Sequence, residues 1–283
     1  FPYTTLFRST HSKNVAITGW FDTETFFSGN PDIKITNNGD DYHFTAVFEG
    51  TTGDVIWAQK SEGSNGNKGW ALVSDNEDNI FTVGAFEELI GFYDGNTFRR
   101  SLQGKNSSWD IFIVKYSNSG IFQWAQHVGD IHNELSFDIT LINNNPVLIA
   151  YYNTLTTLGR GADEKVIYSN GHNDILVAEL DNQTGRFIHS LSFGGPGGDV
   201  GKGIVAGPEG EIYVTGSVSG EYEFNNGNSK IEVNTNGSSD AIMVAKLSFD
   251  SDETQIQEDF GPVAINDNGY TTINTGIQLD VLI

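Results

Sequence analysis

The chain has no cysteine, six prolines and one methionine in 283 residues, and only 15 Lys and Arg against 37 Asp and Glu. Without cysteine there is no disulfide framework, no thiolate metal site and no thiol nucleophile. The shortage of cations leaves a formal charge of −22. Such a surface repels nucleic-acid phosphates and anionic bilayers, so neither is expected as a partner, whereas divalent cations are attracted. No apolar run approaches the ~20 residues of a membrane-spanning helix. No segment keeps the three-and-four apolar spacing of an amphipathic helix either.

What is present is glycine, 33 residues, and aromatic side chains at 12%. Short runs of Val, Ile, Phe, Tyr and Thr alternate with clusters of Gly, Asn and Asp. Branched and aromatic side chains suit a pleated, half-buried surface, and the clusters supply turns. An all-β fold is therefore expected, in a chain long enough to bury a substantial core.

The runs recur. Val15–Gly19, Ile80–Gly84, Val147–Tyr151 and Ile212–Gly216 start 65, 67 and 65 residues apart. Asp41, Asp110, Asp174 and Asp240 each open a second apolar run at nearly the same step. A third run follows a Gly turn, as Val55-Ile56-Trp57-Ala58-Gln59 and Phe122-Gln123-Trp124-Ala125-Gln126, and degrades to Phe187-Ile188-His189-Ser190. A fourth precedes each new cycle, at Gly69–Val73, Ser136–Thr140 and Gly203–Ala206. Small four-stranded sheets cannot bury both faces alone. A period of ~65 is too long for a strand solenoid of ~20–30 residues and too short for ~100-residue Ig-like domains, which leaves propeller blades.

The pattern resembles the bacterial β-propeller repeat called SBBP. The best matches are Gly210–Gly216, Asp240–Leu247 with Lys246, Asp110–Tyr116 with Lys115, and Gly194-Gly195 with Asp199. The resemblance covers residues ~12–258 and implies a propeller fragment of about four four-stranded blades, near 10–66, 67–133, 134–199 and 200–258. The third unit departs from it at Tyr151 and His189. Residues 1–9, Phe1-Pro2-Tyr3-Thr4-Thr5-Leu6-Phe7-Arg8-Ser9, resemble the codon-by-codon translation of a sequencing adapter and are set aside as an artefact. On that reading the first unit lacks its opening strand, and a lone piece of a larger ring should expose an apolar blade face. Residues 259–283, with Tyr270-Thr271-Thr272 and Asp280-Val281-Leu282, resemble a linker and the start of a bacterial cadherin-like or Ig-like domain. Together these imply an extracellular or cell-surface piece of a larger bacterial multidomain protein.

Chemistry-bearing residues are few. The repeated Asp41, Asp110, Asp174 and Asp240 read as turn devices that cap backbone N–H groups. His127, Asp130, His132 and Glu134 form a metal-like cluster, but their spacing fits no standard zinc motif and they read as a solvated interblade loop. The turn Asp75-Asn76-Glu77-Asp78-Asn79 and the segment Asn266-Asp267-Asn268-Gly269 offer oxygen ligands of the kind Ca²⁺ takes, without EF-hand spacing. Trp57 and Trp124 recur at one blade position and are expected between blades. Of Phe21, Tyr42, Phe92, Tyr93, Phe98 and Tyr152, the three at 92, 93 and 98 fall in a longer variable loop and are the better candidates for sugar contact. No catalytic, cofactor or metal residue is assigned. The reading is a non-catalytic binding or scaffold module for protein or glycan, with no cofactor beyond a conceivable Ca²⁺. The alternative is a polysaccharide hydrolase with its site at the irregular third unit, near Tyr151, Tyr152, Arg160 and His189.

Overall fold

The computed structural model describes residues 3–37, 39–161, 164–225, 230–234, 241–247, 249, 272–275 and 277–280; for 3–6, 221–225, 230–234, 272–275 and 277–280 it gives the backbone alone. The fold is an all-β propeller array, and its described elements are β-strands throughout. The first blade holds β1 (Tyr3–Ser9) and β2 (Val15–Phe21), a hairpin of β3 (Glu24–Phe27) and β4 (Ile33–Thr36), then β5 (Tyr42–Phe48) and β6 (Val55–Ser64). The second holds β7 (Asn67–Ser74), β8 (Ile80–Glu87), the hairpin β9 (Leu89–Asp94) and β10 (Thr97–Gln103), β11 (Trp109–Tyr116) and β12 (Phe122–Val128). The third holds β13 (Leu135–Ile142), β14 (Asn145–Leu158), β15 (Lys165–Leu180) and β16 (Phe187–Phe193). In the fourth, β17 (Val200–Ala206) and β18 (Ile212–Val218) precede a hairpin, β19 (Glu221–Asn225) and β20 (Lys230–Asn234), and β21 (Ala241–Leu247). A last hairpin joins β22 (Thr272–Thr275) and β23 (Ile277–Asp280).

Within each blade the main strands pair antiparallel in sequence order, so β1-β2-β5-β6, β7-β8-β11-β12, β13-β14-β15-β16 and β17-β18-β21 are the repeating sheets. Their first strands, β1, β7, β13 and β17, pack on one another and form the inner edge of the array. Tyr3–Ser9 therefore fills the opening-strand place of the first blade, which the sequence reading left vacant.

Burial follows position. The third strand lies in the middle of its sheet with a neighbouring blade on each face, so Asp110–Tyr116 is buried throughout and Ile111–Val114 reads as a continuous apolar run. The outer β6 begins with the alternation of a strand covered on one face. Three apolar clusters fill the three blade interfaces. One joins Val47 and Trp57 to Leu72 and Phe112, the next joins Phe81 and Trp124 to Leu148 and Leu176, and the third joins Ile149 and Val177 to Val214 and Met243. The outward face of the first blade is closed by its own hairpin, whose Phe27 and Ile35 cover Phe21, Phe44 and Val55. The expected exposed apolar face is thus absent there. It appears on the fourth blade instead, where Ile242 is 80% and Val205 57% exposed.

Two of the hairpins between second and third strands also reach backwards. The end of β6 pairs with β9, Ser61 opposite Phe92. The second blade's β12 pairs with the extended hairpin of the third, Val128 opposite Leu158, flanked by Gly129 N–H to Thr157 and Gly159 N–H to His127. Phe92, expected in a variable loop, is accordingly a fully buried strand residue.

The two repeated tryptophans are plugs between blades. Trp57 donates its indole N–H to the Asn118 carbonyl at 3.0 Å, and Trp124 does the same to Asn182 at 2.9 Å. Each ring lies under the next blade's turn at a glycine with positive φ, Gly120 or Gly185, where an added Cβ would approach the indole within 2.7 or 2.6 Å. In the third blade His189 takes the place, stacking on Phe249 at 5.1 Å and bonding Glu179 at 2.7 Å. Trp124→Ala should lower unfolding free energy by about 3–5 kcal/mol, through lost burial and the cavity left behind. Chemical denaturation followed by the remaining tryptophans measures it.

Candidate functional site

Because the strands are antiparallel, two sets of connections share one end of the array. These are the hairpins between second and third strands and the passages from one blade to the next. This end is called the upper face; the remaining turns form the lower face.

The repeated aspartates sit at the upper end of the third strands, but they do not share one task. Asp174 accepts the Asn170 N–H at 2.9 Å, and burial raises its pKa to about 6. Asp110 is buried and contacts His127 Nε2 at 2.6 Å and Ser108 Oγ at 3.2 Å. Asp41 is partly exposed and pairs with Lys68 at 3.2 Å. Asp240 lies outside the described residues. Among the described aspartates of this set, Asp174 is the one that acts as the backbone cap that the spacing suggested.

The His127–Glu134 segment differs most from expectation. It is not a solvated loop: His127, Asp130 and Glu134 are all buried, and only His132 stays partly exposed. His127 donates to the Asp110 carboxylate, and burial holds its pKa below the usual imidazole value. Asp130 accepts from Lys105 at 2.7 Å and from Thr157 at 2.9 Å, which ties the second blade to the hairpin of the third. Glu134 is raised to about 9, first by burial and then by the neighbouring Asp110. Its N–H bonds the Trp109 carbonyl at 2.7 Å.

Glu134 occupies a repeat position. Asn67, Glu134 and Asp199 are all fully buried, and each donates its N–H to a carbonyl at the start of the preceding blade's third strand, Asp41, Trp109 or Asn173. Asp199 there accepts the N–H groups of Gly195 and Ser219 at 2.8 and 3.0 Å. The group is a structural joint that takes a side-chain amide or a carboxylic acid. A neutral acid beside a carboxylate resembles an acid–base pair, but neither side chain reaches solvent, so no substrate meets it.

The other candidates disperse. Asp75 is buried, and its oxygens accept from the Glu77 and Asn79 N–H groups, the Asn79 amide and the Asn182 amide. Asn266–Gly269 lies outside the described residues. Phe21, Tyr42 and Tyr152 are core residues. Tyr93 and Phe98 meet edge to face at 5.6 Å on the second blade's hairpin, where Phe98 is 55% exposed. Tyr151 stands at the upper face and Arg160 approaches His127 from the hairpin, whereas His189 is on the outer strand near the lower face, so the third-unit candidates form no common site. Among the described residues no group of three His, Asp or Glu could hold a metal ion.

An unforeseen group lies at the upper inner edge. The first strand of every blade carries a register shift at one place: between Thr4 and Leu6, Gly69 and Ala71, Ser136 and Asp138, and Gly201 and Gly203. The extra residues are Thr5, Trp70, Phe137 and Lys202. Trp70 packs on Trp20 at 5.5 Å, and Phe137 stacks on Tyr151 at 6.0 Å with Lys202 Nζ 3.6 Å above its ring. Lys68 lies 5.3 Å from both Trp20 and Trp109. None of these rings belongs to a core cluster. The only hint in the sequence is that Trp70 and Phe137 fall one repeat apart beside small residues.

No known protein-family profile matches the chain. Over 111 residues, 38% of its length, it is 26% identical to an uncharacterised WD repeat-containing protein of Acanthamoeba polyphaga mimivirus, of which it spans 8%. WD repeats are four-stranded blades of about 40–45 residues; here the inserted hairpins lengthen the blade.

Raising pH through 9 should ionise Glu134 in the folded chain, whereas unfolded chain ionises near the ordinary glutamate value of 4.5. The folded pKa is the higher one, so stability is lost as pH rises between the two, by up to about 1.4 kcal/mol per pH unit. His127, depressed, acts oppositely and only below its unfolded value of 6.5. Urea midpoints from pH 7 to 9 should therefore fall in the native chain, and Glu134→Gln should flatten the decline.

Proposed function

We propose that the chain is a non-catalytic recognition module of an extracellular or cell-surface protein, presenting its upper face to a protein or glycan. The observation that carries this reading is the arrangement of the inserted hairpins. They emerge at one face, and two of them are hydrogen-bonded onto the preceding blade. Strapping of this kind turns variable connections into a fixed platform, which cuts the ordering cost of binding. Their outermost strand, β10, leaves Thr97–Ser101 exposed, with Phe98 standing off the surface.

The SBBP-like repeat and the cadherin-like segment support placement at a cell surface, and the acidic charge suits a soluble, non-nucleic-acid-binding module. The hydrolase alternative needs paired carboxylates open to substrate. Among the described residues the buried close carboxylates, around Glu134 and at Asp174 beside Asp199, are sealed from solvent.

The test is a screen of the purified chain on a glycan array and on a panel of immobilised extracellular matrix proteins. A parallel assay measures reducing-end release from the same glycans. Saturable binding without turnover is expected. Turnover, or no binding on either surface, overturns the reading.

A further inference from the structure

Resting on that recognition reading, we infer that the aromatic group at the upper inner edge is a carbohydrate site, and that its ligand is an uncharged polysaccharide chain. The argument begins with the bulges. A backbone irregularity repeated in all four blades at intervals of 65, 67 and 65 residues is part of the fold, and such a bulge re-aims the side chain it carries. After Thr5, the residues at it are Trp70, Phe137 and Lys202, two aromatic and one cationic. A position whose geometry is constant and whose side chain is not required for packing is free to present a contact surface.

Two of the three are aromatic, and each has a second ring beside it, Trp20 or Tyr151. The strands bearing Trp70 and Phe137 pack against each other, so the two ring pairs are neighbours around the inner edge. All four rings are partly exposed, whereas the plug tryptophans 57 and 124 are 6% and 7% exposed. Aromatic faces carry negative charge density. The C–H bonds on the flat side of a pyranose ring present the complementary positive edge, and two adjacent platforms match successive sugars of a chain.

Polar groups are present to read hydroxyls. The Trp70 indole N–H is buried and has no acceptor among the described residues, so a sugar hydroxyl reaches it only where the ring turns outward on binding. Lys202 is exposed and makes no ion pair among the described residues. An extended peptide is a poorer fit. The inner-edge amides that would pair with an added strand are partly taken, Ile204 N–H by Asp138 at 3.1 Å and Ala206 N–H by Thr140 at 3.2 Å.

Charge selects the neutral class. Lys68 is paired with Asp41, and Arg8 approaches Asp138 at 3.9 Å, so the edge has little excess positive charge. The chain as a whole carries −22, which opposes a polyanion at every distance beyond contact.

The experiment is native affinity electrophoresis of the intact chain in gels containing hydroxyethyl cellulose, galactomannan or alginate, backed by tryptophan fluorescence titration. At least one neutral polymer should retard the chain and alginate should not. Trp70→Ala and Phe137→Ala, made separately, should each weaken retardation about tenfold with the thermal midpoint preserved, since neither ring is in a core cluster. Ile121→Ala, in the exposed lower-face turn between β11 and β12, should bind like the native chain. Failure of both neutral polymers, retardation by alginate alone, or native binding by both rim variants overturns the inference. Protein binding on the matrix panel that survives Trp70→Ala would overturn it while leaving the recognition module intact.

Discussion

Everything in this array depends on burying both faces of sheets too small to have a core of their own. A four-stranded blade has its middle strands apolar on each side, as Ile111–Tyr116 shows, and water on either face would be costly. The three apolar clusters accordingly belong to interfaces, each drawing side chains from two consecutive blades. Trp57 and Trp124 give those interfaces direction. Each is anchored on the fourth strand of one blade and hydrogen-bonded to the turn of the next, so a blade is placed by its predecessor. Where His189 replaces tryptophan, Phe249 supplies a ring from the other side, and contact across the interface is kept with different residues.

The parts of the fold legible in the sequence were those that this burial dictates. The period of about 65 residues, the all-β class and the placing of Trp57 and Trp124 all follow from repeated apolar runs, and repetition filters out accident. The inserted hairpins were not legible. Leu89–Asp94 and Thr97–Gln103 differ from the corresponding residues of every other blade, so they read as variable loop, and Phe92 as a surface residue. Pairing with β6 was decided by tertiary contact that local pattern does not encode.

Polar composition misled for a related reason. His127, Asp130 and Glu134 look solvated because charged residues are seldom fully buried without partners. The partners come from afar: Lys105 from before the third strand, Thr157 from the next blade's hairpin, Asp110 across the sheet. Trp20, Trp70 and Trp109 escaped notice for the opposite reason. Tryptophan in a strand reads as core, and only the bulge takes Trp70 out of the interface.

A repeat array separates what must be kept from what is free to vary, and the Asn67, Glu134 and Asp199 position shows how far that goes. The backbone bond to the preceding blade is the same in all three. At Asp199 the carboxylate also ties two N–H groups, which accounts for an acid at this place. Glu134 is one methylene longer and sits beside Asp110 and Asp130. Burial first, and then the like charges beside it, disfavour ionisation, and the side chain holds its proton instead. The backbone bond and the surrounding interface tolerate that cost because no single side chain there holds the blades together. By the same logic the bulge positions drift to Trp, Phe and Lys. None of them belongs to an apolar cluster between blades, and what they meet across the blade boundary differs each time, Trp70 against Trp20 and Lys202 against Phe137.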